Sequence, residues 1–225
     1  MCLHLSRASC GRGAVWKDGD VDQEAEEIRS VLRDAGVRGA DDFGYFVNSS
    51  HLRASEFDAA TAAPVLLARL PTLTQGSVVA AAARHLRHAR IPHDEFASLV
   101  DVFRGWAARD FDAGWALGDA LAHAARSDDG ATMCDLAQNP AYGRSRQMIV
   151  HALWRWRKSF ADVEETLRRL VSDPDVSLQA MSALARVIPP AEMVALLEPL
   201  AAGGDTNVRE QARRQLLKAR RKLTL

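Results

Sequence analysis

The stretch YGRSRQMIVHALWRW, residues 142–156, decides the fold. Its helical pattern rests on four apolar residues, Ile149, Val150, Leu153 and Trp156. They recur at spacings of one, three and four, which places them along one side of an amphipathic helix. The dipeptide Asn139-Pro140, just before the stretch, is a turn signal. The stretch therefore predicts a single helix whose apolar side needs a partner.

Similar stretches recur along the chain, and each ends in a leucine. These anchor leucines are Leu86, Leu121, Leu153, Leu184 and Leu216. They are separated by 35, 32, 31 and 32 residues, and an apolar residue stands four positions before each of them. A fixed period near 32 is typical of a stacked repeat array, in which one unit cannot bury its apolar side alone. We expect the five leucines to lie in one continuous core.

The chain divides into a tail, a cap and an array. Residues 1–20 lack a period and are predicted to be disordered. Residues 21–59 are predicted to form an N-terminal helical cap, with helices at 22–35 and 41–48. Residues 60–225 are predicted to form five helix pairs. The predicted first helices are 64–70, 93–103, 131–138, 161–172 and 191–201, and the second helices carry the anchor leucines. No segment has a strand pattern, so the expected fold class is all-α.

The segments that join paired helices carry a family resemblance. SDPDV (172–176) and GDTNVR (204–209) resemble HEAT repeats, in which an Asp precedes a Val-Arg pair that opens the second helix. Arg146 and Arg209 occupy that Arg position, whereas Val79, Gly114 and Ser177 depart from it. Over residues 25–220 the chain is similar to uncharacterised bacterial HEAT-repeat proteins, on FVN (46–48), WALGDAL (115–121) and YGRSRQMIV (142–150). The resemblance implies a right-handed α-α superhelix and adds little about function.

Composition limits the classes of partner. The formal net charge is +0, which argues against an obligate electrostatic binder of nucleic acid. Residues 143–225 nevertheless carry 15 basic and 9 acidic side chains. No segment approaches the ~18 apolar residues that a membrane helix needs. Three irregularly spaced cysteines fit a reducing cytosol, so we expect a cytoplasmic protein without a membrane partner.

The second helices should line the inner, concave face of such an array. The positions two residues after each anchor leucine are His88, His123, Arg155, Arg186 and Lys218, and we call this set the basic row. One interpretation is a positive stripe for an acidic partner. The alternative is that these cations only compensate the dipoles of helix C-termini. The positions two before the leucines are Arg84, Asp119, His151, Ser182 and Arg214.

Two aromatic sites are candidates for contact. Trp154 lies off the apolar register beside Arg155, and aromatic residues with arginine are enriched in interface hot spots. Trp115 and Asp119 stand one helical turn apart. This spacing resembles that of HEAT-like bacterial alkylpurine DNA glycosylases, in which the Asp is catalytic and aromatic residues cradle the lesion. The alternative is a Trp between units and an Asp paired with Arg84 or His151.

No catalytic motif stands out in the sequence. The histidines form no HExxH pattern, and no serine lies in a Gly-x-Ser-x-Gly elbow. We therefore predict a non-enzymatic scaffold that binds an acidic protein segment on its concave face, without cofactor or metal. The second prediction is a nucleic-acid binder or DNA glycosylase, and a weaker third is an accessory to tetrapyrrole attachment. Nucleic acid is the less favoured partner, and no feature calls for an obligate oligomer.

Overall fold

The computed structural model describes residues 19–44 and 57–223, and this part of the chain is all-α, without a strand. The helices are α1 (Gly19–Asp34), α2 (Ala59–Arg69), α3 (Gly76–Leu86), α4 (Phe96–Ala107), α5 (Phe111–Ala124), α6 (Gly130–Gln138), α7 (Gln147–Ala152), α8 (Val163–Leu170), α9 (Ser177–Leu184), α10 (Pro190–Ala202) and α11 (Thr206–Leu223). Short 3-10 helices lie at Ala40–Asp42, Leu70–Thr72, His93–Glu95, Ser127–Asp129, Pro140–Arg146 and Leu153–Trp156.

From α2 onward the helices pack as sequential pairs. α2 contacts α3, α4 contacts α5, and the same holds for α6 with α7, α8 with α9 and α10 with α11. The second helices also contact one another in order, from α3 through α5, α7 and α9 to α11. Each central second helix therefore buries apolar surface against its own partner and against both neighbouring units. This chain of contacts is what the period near 32 predicts.

The anchor leucines all belong to one hydrophobic core. Leu86, Leu121, Leu153 and Leu184 are 0% exposed and Leu216 is 9% exposed. The prediction of a continuous leucine core is therefore confirmed. Gly114 of α5 stands where there is no room for a side chain: a Cβ there would lie 2.5 Å from Ser145 Oγ in the Pro140–Arg146 3-10 helix and 2.8 Å from the Ala107 Cα atom of α4.

The prediction of one helix over residues 142–156 is wrong. The segment is a 3-10 turn up to Arg146, a six-residue helix α7, and a second 3-10 turn from Leu153. Gly143 interrupts the first turn with φ 46° and ψ −131°, a conformation that a residue with a side chain rarely adopts. The apolar side of the segment is nevertheless buried as expected, because Ile149, Val150, Leu153 and Trp156 all lie in the core.

A capping side chain explains where α2 begins. The helix starts at Ala59, before the predicted position 64, and holds Pro64 in its interior. The Asp58 carboxylate accepts hydrogen bonds from the backbone N–H groups of Ala60 and Thr61, both at 3.2 Å. That N-cap satisfies two N–H groups that the helix itself leaves unpaired.

At the N-terminal end, α1 packs on α2 and α3. The Glu24 carboxylate accepts from the Thr74 N–H at 2.8 Å and from the Gln75 N–H at 3.0 Å, at the entrance to α3. The predicted first cap helix is thus present, and it starts at Gly19, inside the predicted tail. The predicted helix at 41–48 is wrong where it is described, because the 3-10 turn ends at Asp42 and Phe43 is extended. Residues 1–18 and 45–48 lie outside the described part.

A buried arginine joins two successive units. Arg146 is 1% exposed and donates to the carbonyl oxygens of Gly143 at 3.0 Å and Ala137 at 2.9 Å. Its guanidinium also donates to the Asp173 carboxylate at 2.6 Å. Asp173 belongs to the SDPDV join, and its other oxygen accepts from the Asp175 N–H at 3.0 Å. The two positions singled out by the HEAT resemblance therefore form an ion pair between units.

Candidate functional site

The basic row lies at the surface, as the register predicts. His88, His123, Arg155, Arg186 and Lys218 are all exposed. The positions two before the leucines were expected to point toward solvent as well, and this is wrong for Asp119, which is buried, while His151 is half-buried. The row is not uniform, however. His123 and Arg155 use their side chains to bond backbone carbonyls, while Arg186 and Lys218 line a cavity. Compensation of helix ends therefore applies to His123 and Arg155, whereas a binding role is left for Arg186 and Lys218.

Hydrogen bonds from Arg155 and Trp156 connect the 3-10 turn at Leu153–Trp156 to the preceding unit. The Arg155 guanidinium donates to the Ala122 carbonyl, one of the last carbonyls of α5, and lies 5.2 Å from the centre of the Trp156 ring. The Trp156 indole N–H donates to the Arg126 carbonyl. Both bonds satisfy carbonyls at or just beyond the end of α5. Helix-end compensation therefore accounts for Arg155.

The guanidinium groups of two arginines, Arg157 and Arg186, lie near the Trp154 ring. The Arg186 guanidinium carbon lies 4.6 Å from the Trp154 ring centre, and that of Arg157 lies 5.3 Å from it. Trp154 is half-buried and packs against the core. Cations at this distance from an indole are attracted by the negative face of the ring. The contact places Arg186 beside an exposed aromatic edge from the preceding unit.

Asp119 is buried in the middle of the second helices. Its carboxylate is 3.1 Å from Arg87 Nη1, and its other oxygen is 3.5 Å from His123 Nδ1 but accepts no hydrogen bond from the described residues. The His123 ring bonds the Asp119 carbonyl oxygen at 2.8 Å. Arg87 is a partner that sequence reasoning missed, because it lies one residue past the anchor leucine and outside both aligned rows. Trp115 is half-buried one turn before Asp119.

Burial lowers the pKa of two histidines near Asp119, His88 and His151. The pKa of His88 is lowered by burial first and then by Arg87 and His123, with Asp119 acting in the opposite direction. The pKa of His151 is lowered by burial and by Arg186, again opposed by Asp119. These two imidazoles therefore gain charge only below their ordinary range near pH 6.5. Arg155, Arg186 and Lys218 supply positive charge to the row at neutral pH, and His88 adds little.

A cavity of about 320 Å³ opens between α9 and α11 at the start of α10. Three cationic side chains line it, Arg186 and Lys218 from the basic row and Lys222, and His151 lines it as well. None of its described lining residues is acidic. On its wall the Gln215 amide donates to Ser182 Oγ at 3.1 Å. The aligned rows contain four of the lining residues, His151, Ser182, Arg186 and Lys218. Lys222 lies outside both rows, in the basic run KARRK at 218–222, and Gln215 was missed.

His85 gives the fold a measurable sensitivity to acid. Its ring stacks on Phe57 at 3.9 Å and on Phe43 at 5.6 Å, it is 5% exposed, and its Nε2 has no hydrogen-bond partner within the described residues. Burial, with a smaller contribution from His88, lowers the pKa of His85 to about 4. The neutral ring is therefore the form that the folded chain accepts.

We expect the free energy of unfolding to fall as the pH falls from about 6.5 to about 4, because over this range the unfolded chain binds a proton at His85 and the folded chain does not. The full loss from this residue is about 3 kcal/mol. His85→Phe should keep the aromatic stack and remove that part of the pH dependence. Urea unfolding at several pH values measures it, with the exposed His93→Phe as the control that keeps the wild-type slope. An unchanged slope in His85→Phe would contradict the assignment.

Metal and thiol chemistry have little support in the described part of the chain. Residues 19–44 and 57–223 hold no group of three His, Cys, Asp or Glu side chains that could bind a metal ion. Cys134 is buried, and burial raises the pKa of its thiol to about 11, so the reactive thiolate is scarce at neutral pH. Cys2 and Cys10 lie outside the described residues.

Comparisons with models of protein families, with curated proteins and with solved structures found no match to this chain. Within the described ranges, no helix combines the length and the apolar character needed to cross a membrane. The function must therefore be argued from the geometry of the site.

Proposed function

We propose that this chain is a non-enzymatic, cytoplasmic scaffold that binds an acidic segment of another protein. In this proposal the five helix pairs form a right-handed, HEAT-like α-solenoid whose second helices line the concave face. The ordered contacts from α3 to α11 support a stacked array, since repeat solenoids are built from contacts between neighbouring units. The Arg146–Asp173 ion pair between units supports the resemblance to HEAT repeats.

The observation that carries the proposal is the uncompensated positive charge at the C-terminal end of the basic row. Arg186 and Lys218 are exposed and line one cavity, and the described residues around that cavity include no carboxylate. Trp154 lies against Arg186 and supplies an apolar edge beside the charge. Exposed cations with an adjacent aromatic ring suit an acidic protein segment, because the charge steers encounter and the ring contributes buried area.

The alternative is a nucleic-acid enzyme related to the HEAT-like glycosylases, with Asp119 as the catalytic carboxylate. Asp119 is 2% exposed and ion-paired with Arg87, which supports a structural role over contact with a flipped base. An assay for abasic sites on alkylated DNA separates the two functions. We expect no product. Abasic sites that disappear in Asp119→Asn would replace the scaffold proposal by the alternative.

Affinity capture from the native cell, followed by mass spectrometry, identifies the partner. Arg186→Ala with Lys218→Ala is the test variant, because Arg155 is needed by the Ala122 carbonyl. Arg69→Ala with Arg104→Ala is the matched control, because both arginines are exposed at the C-terminal ends of first helices and the same charge is removed.

We expect the double variant at Arg186 and Lys218 to bind the partner about tenfold more weakly, with a larger ratio at low salt. The control variant should bind like the wild type. Because the pKa values of His88 and His151 are lowered, tightening on acidification should begin below pH ~6.5. Equal affinity of the test variant and the wild type, with the fold intact by circular dichroism, would mean that the row only compensates helix ends.

A further inference from the structure

We infer that the cavity between α9 and α11 is a specificity pocket that takes one apolar and one acidic side chain of the partner segment. This inference rests on the proposed function and adds what the partner must present there. The size of the cavity, the sign of its charge and the mixed apolar and cationic lining support this inference.

The volume sets how much can enter. An apolar cavity of about 150 Å³ holds one benzene ring, so about 320 Å³ has room for two side chains. The cavity is also at the lower end of the range for ligand pockets, roughly 300–1,000 Å³. A partner segment that offered only one small side chain would leave most of the cavity filled by water.

The lining combines buried apolar residues with cations. Ile188, Met193 and Ala219 are buried apolar residues, and they line the cavity together with Pro190. Lys218, Lys222 and Arg186 contribute cations to the same lining. Within the described residues, Lys218 and Lys222 take part in no ion pair or side-chain hydrogen bond, so their ammonium groups are available to a carboxylate of the partner. This lining therefore suits an apolar group and an anion that enter together.

The polar wall orients the anion. Ser182 Oγ accepts the hydrogen bond from the Gln215 amide, so the hydroxyl hydrogen of Ser182 is left to donate into the cavity. Gln215 is 7% exposed, and this bond fixes its amide on the wall. A carboxylate between Lys218 and Ser182 would accept from an ammonium and a hydroxyl at once, and hydrogen bonds to a charged acceptor are the stronger kind.

A titration with capped dipeptides tests the inference on the intact chain. The probe is N-acetyl-Leu-Glu-amide, followed by NMR through the backbone amides of residues 182–193 and 215–222 and the methyl group of Met193. N-acetyl-Leu-Gln-amide removes only the charge, and N-acetyl-Ala-Glu-amide removes only the apolar side chain. A parallel titration with inorganic phosphate tests whether a free anion binds at the same place. The test variant is Lys218→Gln with Lys222→Gln, and Arg220→Gln with Arg221→Gln on the same helix is the matched control.

We expect the Leu-Glu probe to shift these resonances and to bind about tenfold more tightly than either of the other two dipeptides. The Lys218 and Lys222 variant should lose the preference for Leu-Glu over Leu-Gln, whereas the Arg220 and Arg221 control should keep it. Equal binding of Leu-Glu and Leu-Gln would overturn the inference, and so would phosphate binding more tightly than Leu-Glu at the same resonances. If no dipeptide binds although the Arg186 and Lys218 variant loses the captured partner, the pocket inference fails and the scaffold proposal stands.

Discussion

Replacement of Arg146 by alanine is expected to cost about 3 kcal/mol of the free energy of unfolding, the lower end of the range for removing one partner of a buried ion pair, because the Asp173 side chain is 24% exposed. Arg146 is 1% exposed and its guanidinium satisfies the Gly143 and Ala137 carbonyls as well as Asp173. Alanine would leave these acceptors without their donor and open a void of guanidinium size in the core. Each of these losses destabilises the folded chain.

The chain contains a matched control for this experiment. Arg209 occupies the same place in the last helix pair but is partly exposed, and its guanidinium reaches only the Thr206 hydroxyl, at 3.4 Å. Arg209→Ala should therefore change the stability by no more than about 0.5 kcal/mol. Urea unfolding followed by circular dichroism compares the two variants. Equal small losses in both would show that the ion pair between units does not hold the array together.

Leu153→Ala is expected to cost about 2–5 kcal/mol, because it removes buried methyl groups and leaves a cavity that the surroundings fill only in part. Leu153 is 0% exposed and lies where α7 passes into the turn that carries Trp154 and Trp156. Leu217, which is 60% exposed on α11, is the control, and Leu217→Ala should stay within about 0.5 kcal/mol of the wild type. A loss for Leu153→Ala no larger than that control would contradict the leucine core.

The repeat period predicted the features that depend on burial alone. Because each unit must hide the same apolar side, the register placed the anchor leucines in the core and the basic row at the surface. The helix break at Gly143 depends on one backbone angle, and the repeat period does not predict it. Gly143 fits a loose helix start as well as a break, and only its positive φ decides between them.

Contacts between units were the least predictable part of the candidate site. Alignment places Arg155 and Arg186 at equivalent positions, yet Arg155 turns to the Ala122 carbonyl and Arg186 turns to Trp154. The contact that each arginine makes depends on which carbonyls and rings the preceding unit presents. Those groups differ between units, so the aligned register does not predict the contact. The cavity likewise depends on Met193 of a first helix, which the alignment of second helices does not include.

Hydrogen–deuterium exchange of the captured complex tests the central claim most directly, because it locates the partner on the surface of the chain. The account predicts slower exchange in the complex at residues 151–157, 182–188 and 215–222, which carry Trp154, Arg186 and Lys218. It predicts no change along the exposed sides of the first helices α4, α6 and α8. Slower exchange confined to those first helices, with the second-helix segments unchanged, would contradict the claim that the basic row and its cavity form the binding surface.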